Sequence, residues 1–194
     1  TERDIAIIGM AGRFPGADNI NQYWQNLIAG VESIRYFSEQ ELLEQGLSAQ
    51  QLGDANYIRA KGYAEQFDCF DNEFFGFSPR EAQVMSPQLR LTYECVWSAL
   101  ENAGYPPTEP TGEAGLSIGF YFGASHNIGW ENRVKQSAEA KTLGEFESTL
   151  LSHKEFISTR VAYKLNLNGP SYSLFTGCST SAVTVHQACQ SLLA

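Results

Sequence analysis

Apolar runs and helical repeats alternate along the chain. Asp4-Ile5-Ala6-Ile7-Ile8-Gly9 is apolar without alternation, the pattern of a strand buried on both faces. Gly115 to Ser125 is a second such run, ended by small residues. Between them, Tyr23, Trp24, Leu27 and Ile28 share one face of a helix predicted over 21–28, with Gly30 as its stop. Ser38 to Leu47 reads as a helix capped by Ser38, with Glu41 three residues on. Gln51 to Ala64 is polar and irregular and reads as surface loop. Ser78-Pro79-Arg80-Glu81 opens another helix, with Ser78 as cap and Pro79 at the first position. After a second start at Ser86-Pro87, Leu89, Tyr93, Val96, Trp97 and Leu100 form one face, which ends at Gly104. Asn127 to Thr142 is polar and reads as a surface excursion, and Lys154 to Leu165 as a further helix.

The chain then reaches Asn168-Gly169-Pro170, a turn, and Ser171 to Phe175, whose Tyr172, Leu174 and Phe175 suggest a buried strand. Ala182, Val185, His186, Cys189 and Leu192 recur at helical spacing over 179–193. Gly177 allows a sharp corner between the two, and Cys178 sits on it. The first N–H groups of a helix lack an internal partner and favour negative charge nearby. A thiol there ionises more readily, and the thiolate is the reactive form. The same N–H groups suit a developing oxyanion. By itself this pattern supports either a nucleophile or a plain buried thiol, since free cysteine is often buried.

Strand, helices, strand, helices, strand, cysteine, helix is the order of a layered α/β protein. The 194 residues carry a net charge of −9, which argues against non-specific nucleic-acid binding. No apolar run approaches the ~20 residues of a membrane span, and no signal peptide is expected before the first strand. Cys69, Cys95, Cys178 and Cys189 show no C-x-x-C spacing, which points to a cytoplasmic chain without disulfides or structural zinc. Gly9 to Gly16 fails the dinucleotide fingerprint, because the second glycine comes one residue late and Pro15 interrupts. Phe67 to Gly76 mixes acids with many aromatics but holds no histidine, so it reads as a packing segment rather than a metal site. A hydrolase elbow wants glycine two residues after its nucleophile, and Thr180 stands there.

Several segments together resemble the β-ketoacyl synthase, or ketosynthase, domains of modular polyketide synthases. They are the opening Asp4 to Gly16, Phe74-Phe75-Gly76-Phe77-Ser78-Pro79-Arg80-Glu81-Ala82, and Arg90-Leu91 on to Ala99-Leu100-Glu101-Asn102-Ala103-Gly104. Arg160-Val161-Ala162-Tyr163, Asn168-Gly169-Pro170-Ser171, Cys178-Ser179-Thr180-Ser181 and Val185 to Leu192 complete the likeness. The resemblance implies a thiolase-like layered α/β fold with a mixed sheet and a buried nucleophile helix, and a homodimer. It implies that Cys178 is the nucleophile, with its backbone N–H in the oxyanion hole. Cys178 would accept an acyl chain from the phosphopantetheine of an acyl carrier protein. A malonyl-type unit on a carrier protein would lose carbon dioxide, and its enolate would attack the acyl-cysteine. No cofactor or metal would be bound. An acidic carrier would need a local basic patch on this acidic chain, for which Arg133, Lys135, Lys141, Lys154, Arg160 and Lys164 are the candidates.

Three positions depart from the family pattern. Phe175 stands where Asp is common, Gly177 where Ala is common, and Ser86 opens what is usually Asp-Pro-Gln. The family's two catalytic histidines lie C-terminal to the cysteine. Only sixteen residues follow Cys178, and among them His186 matches a packing position. His126 and His153 match no catalytic motif. The chain therefore reads as residues 1–194 of the N-terminal part of one ketosynthase domain, with the remaining half and other synthase modules as partners. An elongating enzyme, a non-elongating transacylating one and a non-catalytic partner all share this resemblance, although non-catalytic partners usually lack the cysteine.

Overall fold

The computed structural model describes residues 4–105, 107 and 117–194. They form two units, Gly12–Gln66 and the remainder. The Gly12–Gln66 unit begins with helix α1 (Ile20–Ala29), whose first turn is capped by Asn19. Strand β1 (Ile34–Tyr36) pairs antiparallel with β2 (Ala60–Gly62). Between them lie the short helices α2 (Glu39–Glu44) and α3 (Ala49–Leu52), each opened by a serine capping box. Phe37, Leu42 and Leu52 form this unit's small core. The stretch 51–64, expected to be loop, thus contributes α3's end and a strand. Its polar side chains belong to a two-stranded ribbon that is mostly exposed, so they hide the strand pattern. The apolar face of α1 exists, but Trp24, Leu27 and Ile28 remain exposed.

In the second unit, α4 (Pro79–Val84) starts as expected at Ser78. Ser78 N–H donates to the Glu81 carboxylate at 2.7 Å, and Glu81 N–H donates to Ser78 Oγ at 3.2 Å. Burial alone would raise the Glu81 carboxyl, but the Ser78 amide and hydroxyl, with the Arg160 and Lys164 cations, hold it below the ordinary range. A depressed carboxylate adds stability above its unfolded pKa, and this is lost as pH falls through the folded value. Ser78→Ala is therefore expected to cost about 1 kcal/mol near neutrality. The deficit should shrink in acid, where Glu81 is protonated in both proteins. Urea melts of wild type and variant at neutral and acid pH would test this, and a deficit equal at both would refute the linkage.

Helix α5 (Pro87–Asn102) follows, capped by buried Ser86. Its Leu89 and Tyr93 join Phe75, Phe77, Met85 and Val161 in the main core. The aromatic segment before α4 is indeed packing material: Phe70 stacks on Phe75 at 5.2 Å. Burial pushes the Tyr93 hydroxyl upward, which keeps it protonated. Strand β3 (Phe120–Phe122) leads to α6 (Ile128–Gln136), α7 (Ala138–Leu143) and α8 (Glu145–Ser152). The expected polar excursion over 127–142 is thus two packed helices. Asn127 caps one, Ser137 ends it and caps the next, and Val134 and Ala140 are buried. A 3-10 turn, Lys154–Phe156, precedes α9 (Ile157–Lys164), then come β4 (Ser171–Ser173) and α10 (Thr180–Leu193).

β3 and β4 pair in parallel, Phe120 opposite Ser171 and Phe122 opposite Ser173. Alternation along a strand sends neighbouring side chains to opposite faces. Phe120 and Phe122 pack against the core, and Ser173 Oγ lies 2.7 Å from Ser158 Oγ on α9. On the other face, the Tyr121 hydroxyl donates to Ser191 of α10. The strands are therefore the middle of an α9–sheet–α10 sandwich.

Three expectations fail here. Asp4 to Gly9 forms no strand, and Ile7 and Ile8 are exposed. β3 pairs with β4, and the first run lies instead against the end of α5: Met10 N–H donates to Asn102 at 3.0 Å, and a side chain at Gly9 would collide with the Ala99 carbonyl. The nucleophile helix is also not buried. None of α10's residues is, because β3 covers one side of it while Val185 and Leu192 on the helix stay exposed. The strand at 171–173 is likewise only partly covered, with Tyr172 exposed. The expected run Gly115 to Ser125 yields β3, and its first two residues lie outside the described residues.

Candidate functional site

Cys178 lies in the 3-10 turn Gly177–Ser179, between the end of β4 and α10. Gly177 has φ of +65°, a left-handed conformation that residues with a Cβ resist. A Cβ there would meet nothing within 4 Å, so backbone conformation alone is what favours glycine. Hydroxyl groups staple the corner. Thr180 Oγ1 accepts from Thr176 N–H at 2.9 Å and donates to the Gly177 carbonyl at 2.8 Å. Ser179 Oγ donates to the Thr176 carbonyl at 2.9 Å. No side chain caps α10. Cys178 lies just before α10's cap position Ser179, in the 3-10 turn whose start is likewise without a side-chain cap, so its amide is among the first N–H groups of that turn.

Cys178 is exposed, which sets aside the buried-thiol reading. Cys95 and Cys189 are partly buried, but Cys69, expected inside the aromatic cluster, is exposed as well. The rings of that cluster pack on α5, and Cys69 lies on its outer side. His186, expected to be packed, is exposed on the unburied helix α10.

Close fitting places the corner against β3. A side chain at Gly123, just after β3, would collide with Thr180, and would lie 2.9 Å from the Leu174 carbonyl and 3.2 Å from Thr184 Oγ1. On the other side of β4, Ser173 Oγ donates to the Glu155 carbonyl at 3.3 Å, and Lys154 Nζ stands 3.4 Å from the centre of the Phe175 ring. The Glu155 carboxylate faces His126 at 3.6 Å and His153 at 3.9 Å, and His126 also faces Glu131 at 3.4 Å. The His126–Glu155 and Lys154–Phe175 pairs join segments about twenty to thirty residues apart, which no local spacing in the sequence links.

The basic side chains do not form one patch. Lys135 and Lys141 line a cleft of about 290 Å³ with His153. Arg160 pairs with Glu147 at 2.8 Å, Lys164 donates to the Gly76 carbonyl at 2.9 Å, and Arg133 lies over the Trp130 ring. Among the described residues, no helix is long and apolar enough to cross a membrane.

The geometry defines a layered α/β protein with an exposed cysteine at a strand-to-helix corner on a parallel strand pair, and comparison with known proteins narrows it. The family described as β-ketoacyl synthase, N-terminal domain, matches residues 2–194, and the chain belongs to that family. It is 44% identical over 200 residues to a phenolphthiocerol/phthiocerol polyketide synthase of Mycobacterium tuberculosis, covering 99% of this chain and 13% of that protein. Polyketide synthase PksN of Bacillus subtilis is 36% identical, over 97% of this chain and 3% of its own length. Among solved structures, ketosynthase twelve of the bacillaene polyketide synthase of Bacillus amyloliquefaciens superposes with a TM-score of 0.80 at 37% identity, over 97% of this chain and 32% of that one. The thiolase-like α/β fold and the ketosynthase relationship expected from the sequence are thereby borne out. The chain spans about a third of the solved ketosynthase and a smaller share of the synthases.

Proposed function

We propose that the chain is the nucleophile-bearing N-terminal part of one polyketide synthase ketosynthase domain, acting in the cytoplasm on acyl chains carried by acyl carrier protein. The observation that carries this reading is the exposed Cys178 at a stapled strand-to-helix corner, in a chain matched to the family throughout. The Cys178 sulfur attacks the carbonyl of the phosphopantetheine thioester. The oxyanion gathers charge beside the Cys178 N–H. The pantetheine thiol then leaves with a proton, and the acyl chain stays on sulfur as a thioester. In the second half-reaction a malonyl-type unit on a carrier protein loses carbon dioxide. The enolate carbon bonds to the acyl carbon, and the Cys178 thiolate departs. The histidines that assist this step would come from the C-terminal part of the domain.

The test is made on the complete ketosynthase domain, this chain together with the C-terminal part. It is incubated with acyl carrier protein bearing an acyl thioester, and the mass of the Cys178 peptide is read. Malonyl carrier protein is then added and ketoacyl product sought. Acyl gain at Cys178 followed by product supports condensation. Acyl gain without product supports transfer alone, and no acyl gain refutes the assignment. The domain is also proposed to be a homodimer with the stretch Ser171 to Phe175 near its two-fold axis, since β4 is an edge strand of its two-stranded sheet and Tyr172 is exposed on it. Sedimentation at micromolar concentration should give a dimer, and a monomer would refute it.

A further inference from the structure

The thiol's position depends on what holds the segment before it. β4 ends at Ser173, and Leu174 N–H still donates to the Phe122 carbonyl at 2.8 Å. From there to the 3-10 turn of Cys178, the chain is gripped by the turn Lys154–Phe156. Ser173 Oγ reaches the Glu155 carbonyl and Ser158 Oγ. Lys154 Nζ sits 3.4 Å from the Phe175 ring centre, within reach of the ring's quadrupole. Phe175 is 38% exposed, so core burial alone does not fix its ring. The same turn is braced from the far side, where Glu155 meets His126 of the loop after β3.

We infer that Lys154 and Phe175 are positioning residues for Cys178. The ammonium seated on the ring fixes Leu174 to Thr176, and through them the angle at which the thiol meets a thioester. Neither side chain touches the reacting atoms. The inference rests on the reading of Cys178 as acyl acceptor.

The experiment uses the full chain in four variants: Lys154→Met, which keeps the aliphatic stem, Lys154→Arg, which keeps a cation, Phe175→Leu, and the Lys154→Met/Phe175→Leu double. Limiting iodoacetamide alkylates the exposed thiols, and peptide mapping gives the rate at Cys178 relative to Cys69 as internal reference. Acyl loading is followed alongside. Lys154→Met and Phe175→Leu are each expected to lower the Cys178 to Cys69 ratio by roughly threefold. The kcat of loading should fall with KM and melting temperature unchanged. Lys154→Arg should remain near wild type, and the double variant should be no worse than either single. The inference is overturned if Lys154→Met keeps the wild-type ratio, if Lys154→Arg falls as far as Lys154→Met, or if the two losses multiply. Should the wild type take no acyl chain at Cys178, the nucleophile reading fails, while the alkylation ratio still decides the positioning role.

Discussion

Cys178→Ala is expected to abolish acyl loading from a carrier-bound thioester while leaving the melting temperature close to wild type. The sulfur is the only atom proposed to bond the acyl carbon, and no neighbouring residue of the corner replaces it. Ser179 and Thr180 offer hydroxyls, but both are committed to the Thr176 and Gly177 carbonyls. The fold should tolerate the change because Cys178 is exposed, and trimming an exposed side chain removes little packing. Intact-protein mass after incubation with the acyl carrier, with peptide mapping, gives the answer. Cys69 makes mapping necessary: it too is exposed, so a bulk thiol assay would not separate them. A Cys178→Ala protein that still formed the acyl-enzyme would refute the assignment.

Gly123→Ala should be the more damaging change, although one methyl is added outside the corner. The new Cβ would meet the Leu174 carbonyl at 2.9 Å and collide with the Thr180 side chain. Backbone cannot step aside cheaply. Thr180 cannot turn away without breaking its bonds to Thr176 N–H and the Gly177 carbonyl. Overpacking of this kind typically costs about 1–3 kcal/mol. Any relief comes from shifting the first turn of α10, which carries the staple beside Cys178. Lower stability in urea melts and a loss of acyl loading of at least tenfold, on the scale of about 1.4 kcal/mol per decade, are therefore expected together. A variant that melted and loaded like wild type would show that Gly123 has room the contacts deny.

Features set by neighbouring residues are legible in the sequence alone. The capping boxes at Ser38 and Ser78 each close over three residues, so their hydrogen bonds are written into local spacing. Gly177 and Cys178 are readable as a corner because a left-handed glycine between a strand and a helix leaves a local mark. The amphipathic face of α5 is equally plain, since Leu89 and Tyr93 face one core at helical spacing.

The rest is decided by where the chain returns. Asp4 to Gly9 has the composition of a buried strand, but a strand exists only beside a partner, and β3 and β4 pair with each other. The helices α6 and α7 resemble loop in sequence because few of their residues are apolar. Val134, Ala140 and the Trp130 indole, which donates to the Val84 carbonyl at 3.0 Å, gain their meaning only when α4 lies alongside. Cys178 itself can be named from the sequence. The Thr180 staple is local too, but that Cys178 is exposed, closed against Gly123 and steadied by Lys154 on Phe175 depends on segments far apart in sequence. Local spacing dictates caps, corners and faces because their forces act within a few residues. Contacts between distant segments are dictated by packing of the whole unit, and only the folded chain reveals them.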